Sequence, residues 1–347
     1  MTKKLNIAIF GASGYTGVEL IRILLNHPNT NIKSLIAESN AGKNISEIFP
    51  HLAPYNLPAL IKFEDANFDD IQAVFLCLPH GTTQEVALKI PKNIKIIDVS
   101  ADFRLKNPDD YEKYYHQKHK ALELQSKAVY GLSEIYREEI AKADLIACPG
   151  CYPTSILLPL IPLLKNNLIE IDDIISDSKS GISGAGRKAD ANNLFTEVNE
   201  NLKPYGIASH RHLSEIEQEL GIFANNPVTI SFTPQVIPIS RGMISNIYVK
   251  NKAGVTSENL KECLQENYKN SDFVKIAEAK NIPTIKNVYS TNLCLINIFA
   301  DRIKNRSIII SAIDNLTKGA SGQAVQNFNI TFGFDEKTAL NLVPVFP

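Results

Sequence analysis

Leu5-Asn6-Ile7-Ala8-Ile9-Phe10 runs directly into Gly11-Ala12-Ser13-Gly14-Tyr15-Thr16-Gly17, an apolar run followed by three glycines at three-residue spacing. A short apolar run that ends in closely spaced glycines predicts a buried strand and a tight turn. Val18, Leu20, Ile21, Leu24 and Leu25 then recur at three- and four-residue spacings, which predicts a helix, and residues 32–37 supply a second strand. Strand, glycine turn, helix and strand open a dinucleotide-binding βαβ unit, in which the glycines let backbone N–H groups approach a pyrophosphate at the helix N-terminus. The spacing is G-x-x-G-x-x-G, not G-x-G-x-x-G, and glycine turns also open helices that bind no nucleotide. A strand before the turn and a helix after it favour the nucleotide. The candidates for holding it are Gly11, Ser13, Gly14, Tyr15, Thr16 and Gly17.

Outward from this unit, residues 73–78, 94–99 and 145–147 are further short apolar runs. They end in Pro79-His80-Gly81, Ser100-Ala101-Asp102 and Pro149-Gly150, as strands buried on both faces of a parallel sheet do. Ligands gather at the carboxyl ends of such strands, which brings in Pro79. Beyond about residue 165 the pattern changes. Residues 171–178, 228–239, 243–250 and 293–313 alternate or run β-branched, predicting a mixed, largely antiparallel sheet. Ala320, Ala324, Val325 and Phe328 fall at helical spacing in a tail able to return to the first domain. The fold expected is α/β: a Rossmann-type parallel-sheet nucleotide domain over 1–150 plus 314–347, and a second α+β domain over 151–313.

Composition bounds the partners. The chain has 347 residues, 44% of them hydrophobic and 21% charged, with net charge −1, so nothing in its charge calls for nucleic acid or an anionic membrane. Five cysteines are too few and odd in number for a disulfide framework, which suggests a reducing compartment. Met1 to Lys4 leaves no room for a signal peptide before the first strand, and no apolar run approaches membrane-spanning length. The expected location is the cytoplasm.

Chemistry concentrates at Ala147-Cys148-Pro149-Gly150-Cys151-Tyr152-Pro153. The apolar run after it reads as a buried helix, and Pro153 suits a first helical turn. Cys151 therefore falls at or just before a helix N-terminus, where the dipole favours a thiolate over a thiol. The plainer reading is a small buried residue. Cys148 and Cys151 also form a Cys-x-x-Cys pair, but no second pair exists, and a metal site is not indicated.

Ser180 to Arg187 form a second glycine-rich loop, with Ser183 and Gly184 as candidates for holding a phosphate or the nicotinamide end of a cofactor. His210-Arg211-His212 precede Ser214, Glu217 and Gly221, which have the spacing of a capping box and a helix end. Both histidines then lead into a helix whose dipole disfavours imidazolium, a place for a general acid/base. In extended backbone the two imidazoles share a face, with Arg211 opposite. His212 is the nearer to the helix and Glu215 is close enough to orient its ring, which favours His212 as acid/base and His210 as a contact to nicotinamide or substrate. Arg104, Arg187 and Arg241 are candidates for clamping a carboxylate or phosphate, or are ordinary ion-pair partners.

Together the segments GASGYTGVEL, FLCLPHG, DVSADFRL, YGLSEI, PGCYPTS, SGISGAGR, HRHLSEIEQ, PISRGM and DNLTKGASGQAVQNFN resemble the N-acetyl-γ-glutamyl-phosphate reductase family, related to aspartate-semialdehyde dehydrogenase, and span nearly the whole chain in order. The resemblance implies a reduction in arginine biosynthesis, with N-acetyl-glutamyl 5-phosphate giving the 5-semialdehyde and phosphate. It implies that Cys151 is the nucleophile and that the acyl group passes through a thioester reduced by hydride. It implies NADP(H) held by the loops Ser13–Gly17, Ser183–Gly186 and Asn315–Gly319, with Asn315 and Lys318 among the contacts, and a homodimer or homotetramer. Ser39 and Lys43 suit a 2′-phosphate, whereas Glu38 at the strand end suits the ribose hydroxyl of NAD. The competing substrates are a carrier-linked aminoadipyl phosphate and aspartyl phosphate, and the competing class is a non-catalytic NADP-binding sensor.

Overall fold

Strand β1 (Leu5–Phe10) opens a seven-stranded parallel sheet in a computed structural model, which describes residues 4–278 and 280–346. After β1 come helix α1 (Tyr15–Leu24), β2 (Thr30–Ile36), β3 (Leu60–Ile61), β4 (Ala73–Leu76), β5 (Lys95–Asp98), helix α2 (Pro108–Tyr115), β6 (Val129–Tyr130) and β7 (Leu145–Ala147). The strand order is β3-β2-β1-β4-β5-β7-β6, and every pair is parallel. The central strands are apolar on both faces, with Ile7, Ile9, Val74, Phe75 and Ile97 fully buried, as a sheet covered on both sides requires. The order reverses at β1, whose neighbours β2 and β4 lie on opposite sides, so the crevice at their carboxyl ends is the topological switch point.

The first unit consists of Met1–Pro149 and Ala320–Asn341, and the second of Gly150–Gly319 and Leu342–Pro347. The chain thus leaves the first unit at Pro149, and the residues 314–319 and 342–347 expected with the first unit cluster with the second.

The second unit holds helix α3 (Cys151–Lys165), β8 (Ile174–Gly181), β9 (Lys203–Pro204), helix α4 (His212–Ala224), β10 (Ile230–Ile237), β11 (Met243–Lys250), helix α5 (Ser257–Tyr268), β12 (Val274–Ile276), β13 (Cys294–Ala300) and β14 (Arg306–Ile313). Its order is β12-β13-β14-β11-β8-β10-β9, with β8–β10 and β12–β13 parallel and the other pairs antiparallel. Helix α6 (Gly322–Thr331) then returns to the first unit.

Helix α3 runs through Pro159 and Pro162, and every residue from Tyr152 to Leu164 is buried. Tertiary burial outweighs the N–H groups lost at those prolines. The face of β8 that turns inward carries Ser176, Ser178 and Ser180. Ser155 of α3 and Ser178 both meet Ser245 Oγ at 2.7 Å, so small side chains let the helix lie close and their hydroxyls satisfy one another.

Asp98 at the end of β5 is fully buried and accepts from the Ser100 N–H at 2.9 Å and the Ser100 hydroxyl at 3.0 Å. Burial first, and the neighbouring Asp102 second, push its carboxyl up to about 7. A carboxyl raised in the folded state stabilises the fold fully below the unfolded pKa of roughly 3.9, and that stability is lost as pH rises towards 7. Asp98→Asn is therefore expected to flatten the fall in unfolding free energy between pH 4 and 8, by an amount on the order of a few kcal/mol. Denaturant titrations of both proteins across that range check this; parallel curves would contradict it.

Candidate active site

Beyond β7 the chain crosses Cys148-Pro149-Gly150 and enters α3 with Cys151 as its first residue and Gly150 as its N-cap. Glycine offers no capping side chain, and the Gly150 N–H instead donates to Glu215 Oε1 of α4 at 2.8 Å. The carboxylate is almost completely buried, so α4 holds the start of α3 through one charge-assisted bond. Sequence spacing pairs Glu215 with the His212 ring, and the bond to Gly150 is a long-range contact that spacing does not reveal.

A cavity of about 620 Å³ opens over Cys151 and is lined by residues of the second unit. Its lining includes His210, Arg211, His212, Tyr152 and Tyr205, together with Ser180 and Gly184. Cys151 is partly exposed, whereas Cys148 is completely buried, its N–H bonded to the Asp98 carbonyl at 2.7 Å. Burial pushes the Cys148 thiol up to about 12, and all five cysteines are free. The pair is one reachable thiol and one packed one.

Helix α4 starts at His212, three residues earlier than the capping-box spacing implies. Arg211 is already helical (φ −57°, ψ −27°), so Ser214 lies inside the first turn and its hydroxyl donates to Arg211 O at 2.8 Å instead of capping. Glu217 Oε1 accepts from the Ile230 N–H at 3.1 Å, and Gly221 is interior, with left-handed Asn225 ending the helix. The 210–212 segment is thus not extended, yet the imidazoles still meet, with centroids 4.8 Å apart and His210 Nδ1 accepting the His212 N–H at 3.1 Å. His210 sits edge-on to Tyr152, Tyr205 and Phe232. Burial, and secondarily Arg211, lower it to about 4, so it is neutral at pH 7.

In the first unit Gly11 has φ +74°, and a Cβ there would fall 2.2 Å from the Cys77 carbonyl oxygen; at Gly17 a Cβ would fall 2.4 Å from Gly11 O. Both positions exclude side chains through the protein's own packing. Gly14 is different: it is the uncapped N-cap of α1, and a Cβ would meet only Gly11 O at 3.4 Å. The turn Gly14-Tyr15-Thr16-Gly17 therefore presents a helix N-terminus without a side chain over it, a cradle suited to a pyrophosphate. Asn40 Nδ2 donates to Ser13 Oγ and to Ser39 Oγ, both at 3.2 Å, gathering neutral hydrogen-bonding groups at the end of β2 beside exposed Lys43. Glu38 Oε1 is taken by the Phe63 N–H at 2.9 Å. Pro79 O accepts from the Thr82 hydroxyl at 2.6 Å, and Asp102 anchors the following turn through the Gly81 and Thr83 N–H groups.

Two of the arginine candidates have partners within the fold. Arg104, in the first unit, donates from Nε to Cys148 O at 2.8 Å and from Nη2 to Val99 O at 3.1 Å, so it braces the backbone that leads to Cys151. Arg241 makes a bidentate pair with buried Asp314, at 2.7 and 2.9 Å. Arg187 is exposed, and Arg211 is the arginine that lines the cavity. Lys318 is fully buried, its Nζ 5.6 Å from the centre of the Phe273 ring. Asn315 Nδ2 donates to Ser183 Oγ at 2.9 Å and thereby fixes the second glycine loop.

Sequence reading missed Tyr152 and Tyr205, whose hydroxyls lie 3.2 Å apart, Tyr152 donating to Gln235 O at the same distance. Tyr152 stood in view beside Cys151; Tyr205 had no periodic context to mark it. Asn192, Asn193, Asn201 and Lys203, which also line the cavity, come from a stretch of short turns that ends in the two-residue strand β9, which patterning does not reach. No group of three or more His, Cys, Asp or Glu side chains is placed to hold a metal among the described residues, and no helix there is long and apolar enough to cross a membrane.

Family models described as "Semialdehyde dehydrogenase, NAD binding domain" and "Semialdehyde dehydrogenase, dimerisation domain" match residues 6–143 and 151–315. The chain is 51% identical over 345 residues, 99% of its length and 86% of the relative's, to a probable N-acetyl-gamma-glutamyl-phosphate reductase, chloroplastic, of Arabidopsis thaliana. It is 47% identical over the full length of both chains to N-acetyl-gamma-glutamyl-phosphate reductase of Ehrlichia canis (strain Jake). Among solved structures it is similar to aspartate semialdehyde dehydrogenase II complexed with ASA from Vibrio cholerae, at TM-score 0.71 and 17% identity, over 96% of this chain and 99% of that one. It is similar too to aspartate semialdehyde dehydrogenase with NADP from Candida albicans, at TM-score 0.68 and 15% identity, over 94% and 98%. At those identities the shared property is the fold.

Proposed function

The chain belongs to the N-acetyl-γ-glutamyl-phosphate reductase family, and on that premise we propose that Cys151 carries the acyl group of N-acetyl-glutamyl 5-phosphate during its reduction to the 5-semialdehyde. The observation that carries this reading is a reachable cysteine at the first position of a buried helix, facing a cavity walled by two histidines. The helix N-terminus favours the thiolate, which attacks the acyl carbon; the C–O bond to phosphate breaks and a thioester remains. First-turn N–H groups of α3 are suited to the oxyanion that forms on the way. NADP(H), when bound, supplies the hydride. His212, the first residue of α4, donates the proton to the oxygen of the reduced carbon and takes it back as the aldehyde is released, while neutral His210 and the two tyrosines shape the cavity and keep water from the thioester.

Gly14, Tyr15, Thr16 and Gly17 would hold the pyrophosphate, and Ser13, Ser39 and Lys43 a 2′-phosphate. The bond from the Phe63 N–H supports this, because it draws Glu38 away from the role of a ribose acceptor. Charge-assisted hydrogen bonds contribute roughly 1.5–3 kcal/mol. Ser39→Ala with Lys43→Ala is therefore expected to erode the preference for NADPH over NADH by about tenfold or more in kcat/KM. A wild-type preference for NADH would contradict the assignment.

The reaction itself is tested in reverse: N-acetylglutamate semialdehyde, phosphate and NADP should generate NADPH absorbance, and aspartate semialdehyde should not. Turnover of the second substrate alone would overturn the reading. Binding of NADP with no turnover of either would make the chain a sensor.

We also read the chain as a homodimer. The face of the second sheet opposite α3 carries the row Ile175, Tyr248, Ile308 and Phe299, matched across four strands and partly exposed, with Ile244 and Leu295 beside it. A second copy is the occupant suited to such a partly exposed apolar row. The free cysteines suit a reducing, cytoplasmic setting.

A further inference from the structure

Asp314 accepts an unusual number of bonds for a residue beyond the end of a strand. Its Oδ2 takes Arg241 Nε and the Ser290 N–H, both at 2.7 Å; its Oδ1 takes Arg241 Nη2 at 2.9 Å, the Leu316 N–H at 2.9 Å and the Thr317 N–H at 3.0 Å. Arg241 Nη2 reaches Thr317 Oγ1 as well, at 2.9 Å. The Asp314 carbonyl accepts the Gly319 N–H at 3.0 Å, closing a π-type turn. Asn315 adds a third fastening by taking the Gly242 N–H at 2.6 Å. A wholly buried carboxylate thus winds residues 314–319 into one rigid loop.

The loop ends against the nucleophile. A Cβ placed on Gly319 would lie 2.7 Å from Cys151 Cβ and 3.1 Å from its Cα. Those atoms are fixed to the backbone of α3 and cannot swing aside as the tip of a long side chain could. The Gly319 main chain is therefore the wall against which the Cys151 side chain is set.

We propose that Asp314 is a positioning residue: through the loop it folds, and Gly319 at the end of that loop, it fixes where the Cys151 sulfur points. Arg241 serves as the counter-ion of that carboxylate. The inference rests on Cys151 being the nucleophile.

A misplacement near 1 Å can cost about 100-fold in rate. Gly319→Ala, which leaves the Asp314 bonds intact, and Asp314→Asn, which weakens them, are each expected to lower kcat by about 10- to 100-fold. Iodoacetamide requires only an accessible thiolate, so both variants should still be alkylated at Cys151 within about threefold of the wild-type rate, a split a general loss of structure would not give. Buried Cys148 and Cys294 are the internal control and should stay unlabelled. Full activity in both variants would overturn the proposal, as would a loss of activity accompanied by labelling of Cys148 and Cys294. Wild-type enzyme that stays active with Cys151 alkylated would overturn the nucleophile assignment instead.

Discussion

Cys151→Ala is expected to abolish acyl-phosphate reduction, a fall of roughly 10⁴-fold or more, while NADPH binding followed by fluorescence stays within about twofold. Cys148→Ala should keep most of the activity, because that thiol is completely buried and held far from ionisation, at about 12. Its cost should fall on stability, since a packed sulfur beside Asn327 is removed. Equal inactivation by both substitutions would point to a redox pair.

The second large effect separates the histidines. His212→Asn should lower kcat by about 10²–10⁴-fold with cofactor affinity kept, as loss of a general acid/base does. His210→Asn should act more on KM. Burial and Arg211 lower His210 to about 4, so its imidazole is neutral throughout the neutral range and cannot give a kinetic limb near pH 7. The pH–rate profiles decide: a limb near neutral pH that survives His210→Asn and disappears in His212→Asn supports the assignment, and the reverse pattern exchanges the two roles.

The glycine turn after β1 and the apolar runs ending at Leu76, Asp98 and Ala147 were legible because a sheet buried on both faces leaves no polar alternation to confuse the reading. The two-residue strands β3, β6 and β9 carry no such signal. The start of α4 was misplaced because Ser214 and Glu217 imitate a capping box while long-range partners claim them: Ser214 turns back to Arg211 O and Glu217 reaches Ile230. The arginines show the same limit. Spacing reveals that Arg104 and Arg241 exist near chemistry-bearing segments, but Cys148 O and the Asp314 carboxylate, which engage them, lie 44 and 73 residues away. Lys318 lies in a motif that suggests a cofactor contact, and the fold buries it against Phe273.

The most direct test of the acyl-enzyme is a mass measurement. Enzyme mixed with N-acetylglutamate semialdehyde and NADP, without phosphate, should accumulate the thioester, since the nucleophile that would release it is missing. After an acid quench, peptide mass spectrometry should find the N-acetylglutamyl group on the peptide containing Cys151, absent from Cys151→Ala and removed when phosphate is added before the quench. An adduct on Cys148, or NADPH formation with no adduct on Cys151, would contradict the account.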